Sequence, residues 1–324
     1  MLEKIKNTTQ EITLEQAMFW VNKVPNNTRS FDTREDKLSG SGVTPQTLAE
    51  LEQLGLQSST IDGVKHFDSY DLSNISLLLG LPSLQRMAMR CWRASLNNAR
   101  NAKTMEAQIE YKIDPSQLEN DQDDLSVLIP NVGRTRTAIS EQLWSGAQAL
   151  HFQPDLPEKL ASFIKATLEG VTFFMLHEEL RWNETFFLEN RLAECGGASK
   201  FLVKRAREEG FEARQVFGLI LAEPYATPHF WAEFKIDNQW VAVDPLLIRV
   251  LRRSAFLSAE MWPEDRSPGR VLLKLSEVVG YEPQLGRPIL SGLEDEAFRI
   301  DPIVTQGRRD IAASFPTTFS INAD

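Results

Sequence analysis

Apolar side chains recur every three or four residues in several stretches of the chain, and this spacing predicts helices. The clearest is 82–102, where no helix-breaking residue follows Pro82. Its apolar stripe consists of Leu84, Met87, Ala88, Cys91, Trp92 and Leu96. The other segments with helical spacing are 11–24, 44–54, 137–152, 156–181, 195–210 and 272–279.

Short apolar runs bounded by turn residues predict strands. They lie at 108–113, 125–129, 213–221, 229–236 and 239–245. Between the last two runs, Asp237 and Asn238 are typical of a two-residue hairpin loop. Segment 246–256 alternates apolar residues with arginines and fits a strand or an edge helix. Segment 26–43 is rich in Asn, Thr, Ser, Asp and Gly, which predicts a long loop.

The chain has 324 residues, enough for one large domain or two ordinary ones, and we expect two. Its 42% apolar and 25% charged residues are typical of a globular protein. A formal charge of −10 argues against general binding to nucleic acid or to anionic membranes, since both require a basic surface. Because we find neither a membrane-spanning apolar run nor a secretory leader, we expect a cytoplasmic protein.

The absence of common motifs narrows the candidate chemistry. The sequence lacks HExxH, CxxC, GxSxG and the glycine-rich loops that bind phosphates or dinucleotides, so we expect no metal and no cofactor. It has two cysteines, Cys91 and Cys195, which we expect to be reduced. Cys91 lies in the middle of a predicted helix beside Trp92, and we assign it a structural role.

Cys195 differs because it begins a predicted helix and is followed directly by Gly196 and Gly197. The dipole and the free amides at a helix N-terminus stabilise a thiolate, which is the reactive form of cysteine. The same amides can stabilise an oxyanion, and the two glycines let a substrate approach the backbone closely. For a cysteine considered alone, the alternative is a buried helix-start residue without chemistry.

A histidine and an aspartate follow Cys195 in the order of a cysteine acyl-transfer site. With a two-residue loop at 237–238, Trp231 pairs with Asp244, and His229 becomes the diagonal neighbour of Asp244 on the same face. Diagonal neighbours lie about 7 to 8 Å apart, a gap that an imidazole and a carboxylate can close. A three-residue loop would turn Asp244 to the other face. Trp231 shares the His229 face and is expected to be a pocket wall or part of the core.

These residues resemble the transglutaminase-like superfamily, which shares a papain-like core. The features that agree in order and spacing are Cys195, the helix ending at Gly210, Ala213-Arg214, Val216, Gly218, His229-x-Trp231-x-Glu233, Trp240 and Asp244-Pro245. The resemblance implies an α+β fold in which the helix carrying the cysteine packs on an antiparallel sheet carrying the histidine and the aspartate. It also implies that Cys195 is the nucleophile, that His229 acts as base and then as acid, and that Asp244 orients the imidazole.

The resemblance also suggests residues around this triad. Trp231, Gly196 and Gly197 are the expected substrate-binding residues, and Gly196 replaces the aromatic or acidic residue that many relatives have after the cysteine. The oxyanion-hole side chain of the relatives cannot be assigned by motif. By position, its candidates are Trp182, Asn183 and Asn190.

The resemblance covers 191–245, with the predicted helices in front of it. We therefore divide the chain into a mainly helical N-terminal region of unassigned role, 1–130, and a transglutaminase-like catalytic domain, 131–324.

The implied activity is an acyltransferase that forms an amide bond through a thioester acyl-enzyme. The donor is a carboxamide or a carrier-bound acyl thioester, and the acceptor is an amine. We favour an amide synthase of natural-product or antibiotic biosynthesis, with acyl or peptidyl carrier proteins as partners. A cysteine protease or amidase with the same triad is the alternative, and a non-catalytic interaction module on the same fold is a second one.

Carrier proteins are generally acidic, so a basic face would suit them. Two sets of side chains could supply it, although both also fit an ordinary solvated surface. They are Lys200, Lys204, Arg205 and Arg207, and Arg249, Arg252 and Arg253.

Overall fold

The computed structural model describes residues 12–102, 104–113, 135–138, 143–150, 153–284, 286–291, 300–301 and 315–322. The helices are α1 (Leu14–Val21), α2 (Pro45–Gln53), α3 (Ser69–Leu79), α4 (Leu84–Asn101), α5 (Glu158–Thr167), α6 (Glu178–Arg181), α7 (Glu184–Asn190), α8 (Cys195–Glu208) and α9 (Pro245–Arg253). Short 3-10 helices lie at Asn26–Thr28, Glu35–Gly40 and Gly269–Val271. None of the described helices has both the length and the hydropathy that crossing a membrane requires.

The strands were assigned over the same described residues. They are β1 (Thr33–Arg34), β2 (Ser58–Ile61), β3 (Val64–Phe67), β4 (Thr104–Ile113), β5 (Thr135–Ala138), β6 (Leu143–Leu150), β7 (Thr172–Phe173), β8 (Leu192–Ala193), β9 (Ala213–Ile220), β10 (Tyr225–Ile236), β11 (Gln239–Val243), β12 (Leu272–Tyr281), β13 (Pro288–Leu290), β14 (Ile300–Asp301) and β15 (Phe315–Asn322).

The first two helices begin at threonines that cap them, and both predictions are confirmed. The Thr13 hydroxyl accepts a hydrogen bond from the Gln16 amide, and the Gln16 side chain accepts one from the Thr13 amide. Thr44 caps α2 in the same way, with Pro45 in the first turn. The loop predicted at 26–43 is wrong in part, because it contains β1 and two 3-10 helices.

The N-terminal helices pack around a small core that also includes residues from much later in the chain. Met18 of α1 and Ile75 of α3 share this core with Phe174 and Leu176. A small antiparallel sheet in the order β1-β3-β2 lies beside it. Three elements were not predicted from the sequence. The strands β2 and β3 are short, and α3 carries many polar residues.

Two polar contacts join α3 to the segment that precedes Cys195. His177 Nε2 lies 2.6 Å from Asp68 Oδ2, and this hydrogen bond raises the pKa of His177 because the carboxylate favours the imidazolium. Asn74 forms hydrogen bonds with both backbone groups of Met175, at 2.9 and 2.7 Å. The N-terminal region is thus fixed to the polypeptide that leads into α8.

The main sheet contains ten of the described strands, in the order β13-β12-β9-β10-β15-β4-β6-β5, with β11 paired to β10 and β14 to β4. Its strand pairs are antiparallel. α8 packs on the centre of this sheet through Leu202 and Ala206, which contact the cluster of Ala213, Ala232 and Phe234. The predicted α+β class, with an antiparallel sheet behind the helix that carries the cysteine, is confirmed.

Three helix predictions after residue 130 are corrected by strand pairing or by a turn. Segment 137–152 contains β5 and β6, and β6 pairs with β4 along its whole length. The single helix predicted at 156–181 ends at Thr167, and Gly170 then adopts φ 70°, a left-handed conformation that a helix cannot continue through. Segment 272–279 lies in β12, where it pairs with β9 and buries Leu272, Leu273 and Leu275.

Two predictions fall on residues outside the described part of the chain. They are the strand at 125–129 and the boundary between residues 130 and 131. Both remain predictions.

Within the described part, a second core cluster joins Met89 and Leu96 of α4 to Val216 of β9 and Ile248 of α9.

Segment 246–256 is a helix for most of its length, and Arg249 fixes it in place. The Arg249 guanidinium donates to the carbonyls of Leu168 and Val171, at 2.9 and 2.8 Å, and to Glu264. Arg252 has only a 3.6 Å ion pair with Glu264. Arg249 therefore anchors α9 to the turn after α5, whereas Arg252 adds a partly exposed charge.

Arg249→Met should lower the free energy of unfolding by about 1–3 kcal/mol, because two carbonyl acceptors lose their donor. Urea denaturation measures this loss. Arg252→Met is the matched control and should change stability by no more than about 0.5 kcal/mol. Equal losses in the two variants would contradict the anchoring role of Arg249.

Candidate active site

Cys195 is the first residue of α8, and Gly196 and Gly197 form its first turn. The first intrahelical hydrogen bond runs from the Ala198 amide to the Glu194 carbonyl. The amides of Cys195, Gly196 and Gly197 therefore precede the ladder of the helix and point toward its N-terminal end. This location combines a thiol, a positive helix end and amide donors.

His229 lies on β10, in the part of that strand that pairs with β9. The side chain is only 10% exposed. Its partner on β9 is Gly218. Trp231, two residues further along the same face, stacks on the imidazole with a centroid distance of 6.3 Å and an interplanar angle of 19°.

Asp244 follows the last residue of β11 and caps α9. The turn between β10 and β11 consists of Asp237 and Asn238, both with positive φ, and Ile236 pairs with Gln239 across it. The predicted two-residue loop is therefore confirmed. The register continues to Ala232 opposite Val243, which brings Asp244 to the His229 side of the hairpin.

The Asp244 carboxylate has two partners. Its Oδ2 forms a short hydrogen bond with His229 Nε2. Its Oδ1 accepts from the Leu247 amide at 2.9 Å. Because Nε2 is taken by Asp244, Nδ1 is the ring nitrogen left to interact with the Cys195 sulfur.

The pKa of His229 is raised to about 10. Burial favours the neutral ring, but the negative charges of Cys195 and Asp244, and their hydrogen bonds to the ring, outweigh burial. The ring beside the Cys195 sulfur is thus held as an imidazolium through neutral pH, with the Asp244 carboxylate on its other side. This is the charge arrangement of an activated cysteine nucleophile.

A second cation lies close to the thiol. Arg181 Nε is 2.8 Å from Glu194 Oε2, in the residue before Cys195. Burial lowers the pKa of Arg181, but the charges of Glu194, Tyr70, Glu178 and Cys195 together raise it. Burial also raises the pKa of Glu194, although Arg181 opposes this. The buried guanidinium–carboxyl pair therefore lies directly beside the catalytic cysteine.

The predicted substrate-binding residues occupy different places. Gly196 lines a cavity next to Cys195. Gly197 lies under the Arg181 carbonyl, which would be 2.6 Å from an added Cβ. Trp231 is 1% exposed and belongs to the core behind His229, so its indole backs the imidazole rather than facing the cavity.

The three oxyanion candidates have their side chains engaged elsewhere. The Trp182 indole donates to Glu178 Oε1 at 3.0 Å. Asn183 caps α7 by accepting from the Phe186 amide, and Asn190 donates to the Phe186 carbonyl. The backbone amides at the start of α8, which directly adjoin Cys195 in the sequence, are the remaining candidate donors for an oxyanion.

The cavity beside the triad has a volume of about 480 Å³. Its polar or charged lining residues besides the triad include the Arg181–Glu194 pair, Gln85, Tyr70 and Thr227. Its apolar lining residues are Leu77, Leu84, Ala88, Met89, Trp92, Phe173, Met175, Phe217, Pro228, Phe230, Leu246, Leu247 and Val250. That α4 lines the cavity was not predicted from the sequence, because an apolar stripe at helical spacing fits a core as well as a cavity wall.

Residues 159–245 match the family model of the transglutaminase-like superfamily. The resemblance found in the sequence is confirmed over that range, which includes Cys195, His229 and Asp244. The superfamily includes cysteine-dependent acyltransferases and proteases. No curated protein matches the chain.

Two solved structures are similar to parts of the chain. A transglutaminase crystal structure is 14% identical, covering 47% of this chain and 53% of its own, with a TM-score of 0.26. A candidate cysteine protease from Cytophaga hutchinsonii is 9% identical, covering 67% of this chain and 89% of its own, with a TM-score of 0.22. The chain thus spans about half of the first structure. At these TM-scores neither structure carries weight for the fold or the activity of this protein.

The charge state of His229 can be measured directly. The ring should remain an imidazolium until the pH rises toward about 10, as ¹⁵N chemical shifts of the histidine side chains would show. Asp244→Asn should lower the pKa of His229, because the variant loses one of the two negative charges but still caps α9. Asp237→Asn, in the exposed turn, is the control and should leave the titration unchanged. Titration of the wild-type ring near 6.5 would contradict the ion pair.

Gly196→Ala should disturb the contact between α8 and Trp182. An added Cβ would lie 2.3 Å from the outer ring of the indole. We expect a loss of about 1–3 kcal/mol in the free energy of unfolding, measured by urea denaturation. Trp182→Phe should remove most of this extra cost in the double variant, because the smaller side chain lacks the clashing ring. Gly40→Ala is the control, since its added Cβ would meet only Leu84 Cδ1 at 3.7 Å. Additive effects of Gly196→Ala and Trp182→Phe would contradict the contact.

Proposed function

We propose that the protein is a cysteine-dependent acyltransferase that forms an amide bond through a thioester acyl-enzyme on Cys195. The observation that carries this proposal is the placement of His229 between the Cys195 thiol and the Asp244 carboxylate at the wall of a large cavity. Burying an imidazole and a carboxylate together is costly unless each has a partner. A module without catalytic function gains nothing evident from that arrangement.

The first half of the proposed reaction forms the thioester. The Cys195 thiolate attacks the carbonyl carbon of the donor, and the α8 amides stabilise the oxyanion of the tetrahedral intermediate. The His229 imidazolium gives its proton to the leaving amine or thiolate as the bond to that group breaks. The acyl group is then bound to sulfur, and the imidazole is neutral.

The second half transfers the acyl group. Neutral His229 takes a proton from the acceptor amine, whose nitrogen attacks the thioester carbonyl. The carbon–sulfur bond breaks, Cys195 leaves as a thiolate and His229 is again an imidazolium. Asp244 stays ionised throughout and holds Nε2, so that Nδ1 faces the sulfur.

The apolar lining of the cavity supports transfer to an amine over hydrolysis, because excluding water protects a thioester from it. Hydrolysis as a cysteine protease or amidase would use the same three residues with water as the acceptor, and it remains the second candidate.

We further propose that a carrier protein delivers one substrate in a biosynthetic pathway. The basic sets expected from the sequence are largely used within the fold. Lys204 pairs with Glu184, and Arg205 pairs with Glu208. Arg249 anchors α9, and Arg252 pairs weakly with Glu264.

Arg253 of the second set and two further arginines, Arg86 and Arg90, supply a better basic surface for an acidic carrier. The Arg86 and Arg90 guanidiniums lie 4.9 and 6.0 Å from the centroid of the Phe256 ring, and Arg253 lies over Trp20. None of the three pairs with a carboxylate of a described residue. Arg86 and Arg90 belong to the same helix, α4, as the cavity wall. Their unpaired charges support the proposal of an acidic partner.

Intact-protein mass spectrometry tests the proposed function. The protein is mixed with a carboxamide donor or an acyl thioester of N-acetylcysteamine, and the mass of one acyl group should appear on Cys195. Cys195→Ala should remove the adduct, whereas Cys91→Ser should keep it. Adding a primary amine should then discharge the adduct as an amide faster than water does. Discharge by water alone would favour the hydrolase, and failure of every donor to label Cys195 would overturn the proposal.

A further inference from the structure

One face of α4 lines the same cavity as the catalytic cysteine. Its lining residues are Leu84, Gln85, Ala88, Met89 and Trp92. These positions follow the spacing i, i+1, i+4, i+5 and i+8, which is a single helical face. The N-terminal region, 1–130, which the family resemblance does not cover, thus supplies a wall of the site.

This wall is held rigidly. The Trp262 indole donates to Asn97 at 3.1 Å, and Arg270 donates to the Ala99 carbonyl at 2.8 Å. Met89 and Leu96 are buried in the core shared with β9 and α9. Contacts with later segments of the chain therefore hold α4 in place beside the cavity.

The cavity has little unbalanced charge for a ligand to meet beyond the triad. Arg181 and Glu194 neutralise each other. The volume of about 480 Å³ lies within the range of small-molecule sites, roughly 300–1,000 Å³. An apolar wall in the same cavity as a nucleophile favours an apolar group attached to the carbon that the nucleophile attacks.

We propose that α4 is the selectivity wall of this site and that the acyl donor carries an extended apolar acyl group, which runs from Cys195 toward Ala88. This inference rests on the proposed function, because it requires an acyl group on Cys195. Each methylene buried against such a wall adds about fourfold to binding. An acetyl group has no methylene to bury and gains none of this.

The rate of Cys195 acylation by acyl thioesters tests the proposal. Acetyl, hexanoyl and decanoyl thioesters of N-acetylcysteamine are compared with the full chain by intact-mass spectrometry. We expect hexanoyl or decanoyl transfer to exceed acetyl transfer at least tenfold. Equal rates along the series would overturn the proposal.

Ala88→Phe places a larger side chain in the wall and should slow transfer of the longer acyl groups at least tenfold, while acetyl transfer stays within about twofold. Ala94→Phe, on the exposed face of the same helix, is the matched control and should leave the series unchanged. A urea transition shows that both variants are folded.

The outcomes separate the two proposals. If acylation occurs but Ala88→Phe acts like Ala94→Phe, α4 does not select the acyl group, and the acyltransferase proposal stands. If no thioester labels Cys195 in the wild-type protein, the proposed function fails first.

Discussion

The Asp244 carboxylate is the point on which the site depends. One oxygen caps α9 through the Leu247 amide, and the other holds the Nε2 of His229. Because one carboxylate makes both contacts, it couples the position of α9 to the position of the imidazole. The helix cannot move without moving the carboxylate, and the carboxylate cannot move without releasing the imidazole. Arg249 extends this fixation to the turn after α5.

Cys195 is positioned by a separate set of contacts. The preceding segment is fixed to α3 through Asp68 and Asn74, and the first turn of α8 packs against Trp182 where only glycine fits. The nucleophile and the acid–base pair therefore rest on different parts of the chain, and the main sheet brings them together. Residues 12–102 contribute to both the support and the wall of the cavity.

The sequence was most informative where local chemistry and pattern agree. Two residues that tolerate positive φ, Asp237 and Asn238, determined the hairpin register, and that register predicted the approach of His229 to Asp244. The glycines after Cys195 were interpreted as letting a substrate approach the backbone, and they also leave room for Trp182 and the Arg181 carbonyl. The partner of Gly196, Trp182, was considered only as a hydrogen-bond donor, because a single sequence does not show which side chain fills a space.

Apolar spacing was misleading where backbone pairing decides the structure. Segment 272–279 has a spacing that fits a helix, yet β9 has an open edge that it completes. Trp231 was correctly assigned to the same sheet face as His229. Sharing a face does not show whether its indole lines the cavity or packs in the core on the other side of the imidazole. The stripe of α4 has the same limit, since cores and apolar cavities select the same side chains.

The core shared by α4, β9 and α9 has a consequence for how the chain can be divided. Met89 and Leu96 contact a cluster that includes Val216, Ile248 and Leu251. A fragment beginning near residue 131 would lack α4. It would expose that apolar surface to water, and α9 would lose the packing that α4 provides. The apolar support of the catalytic region therefore extends beyond the segment that matches the family, into α4.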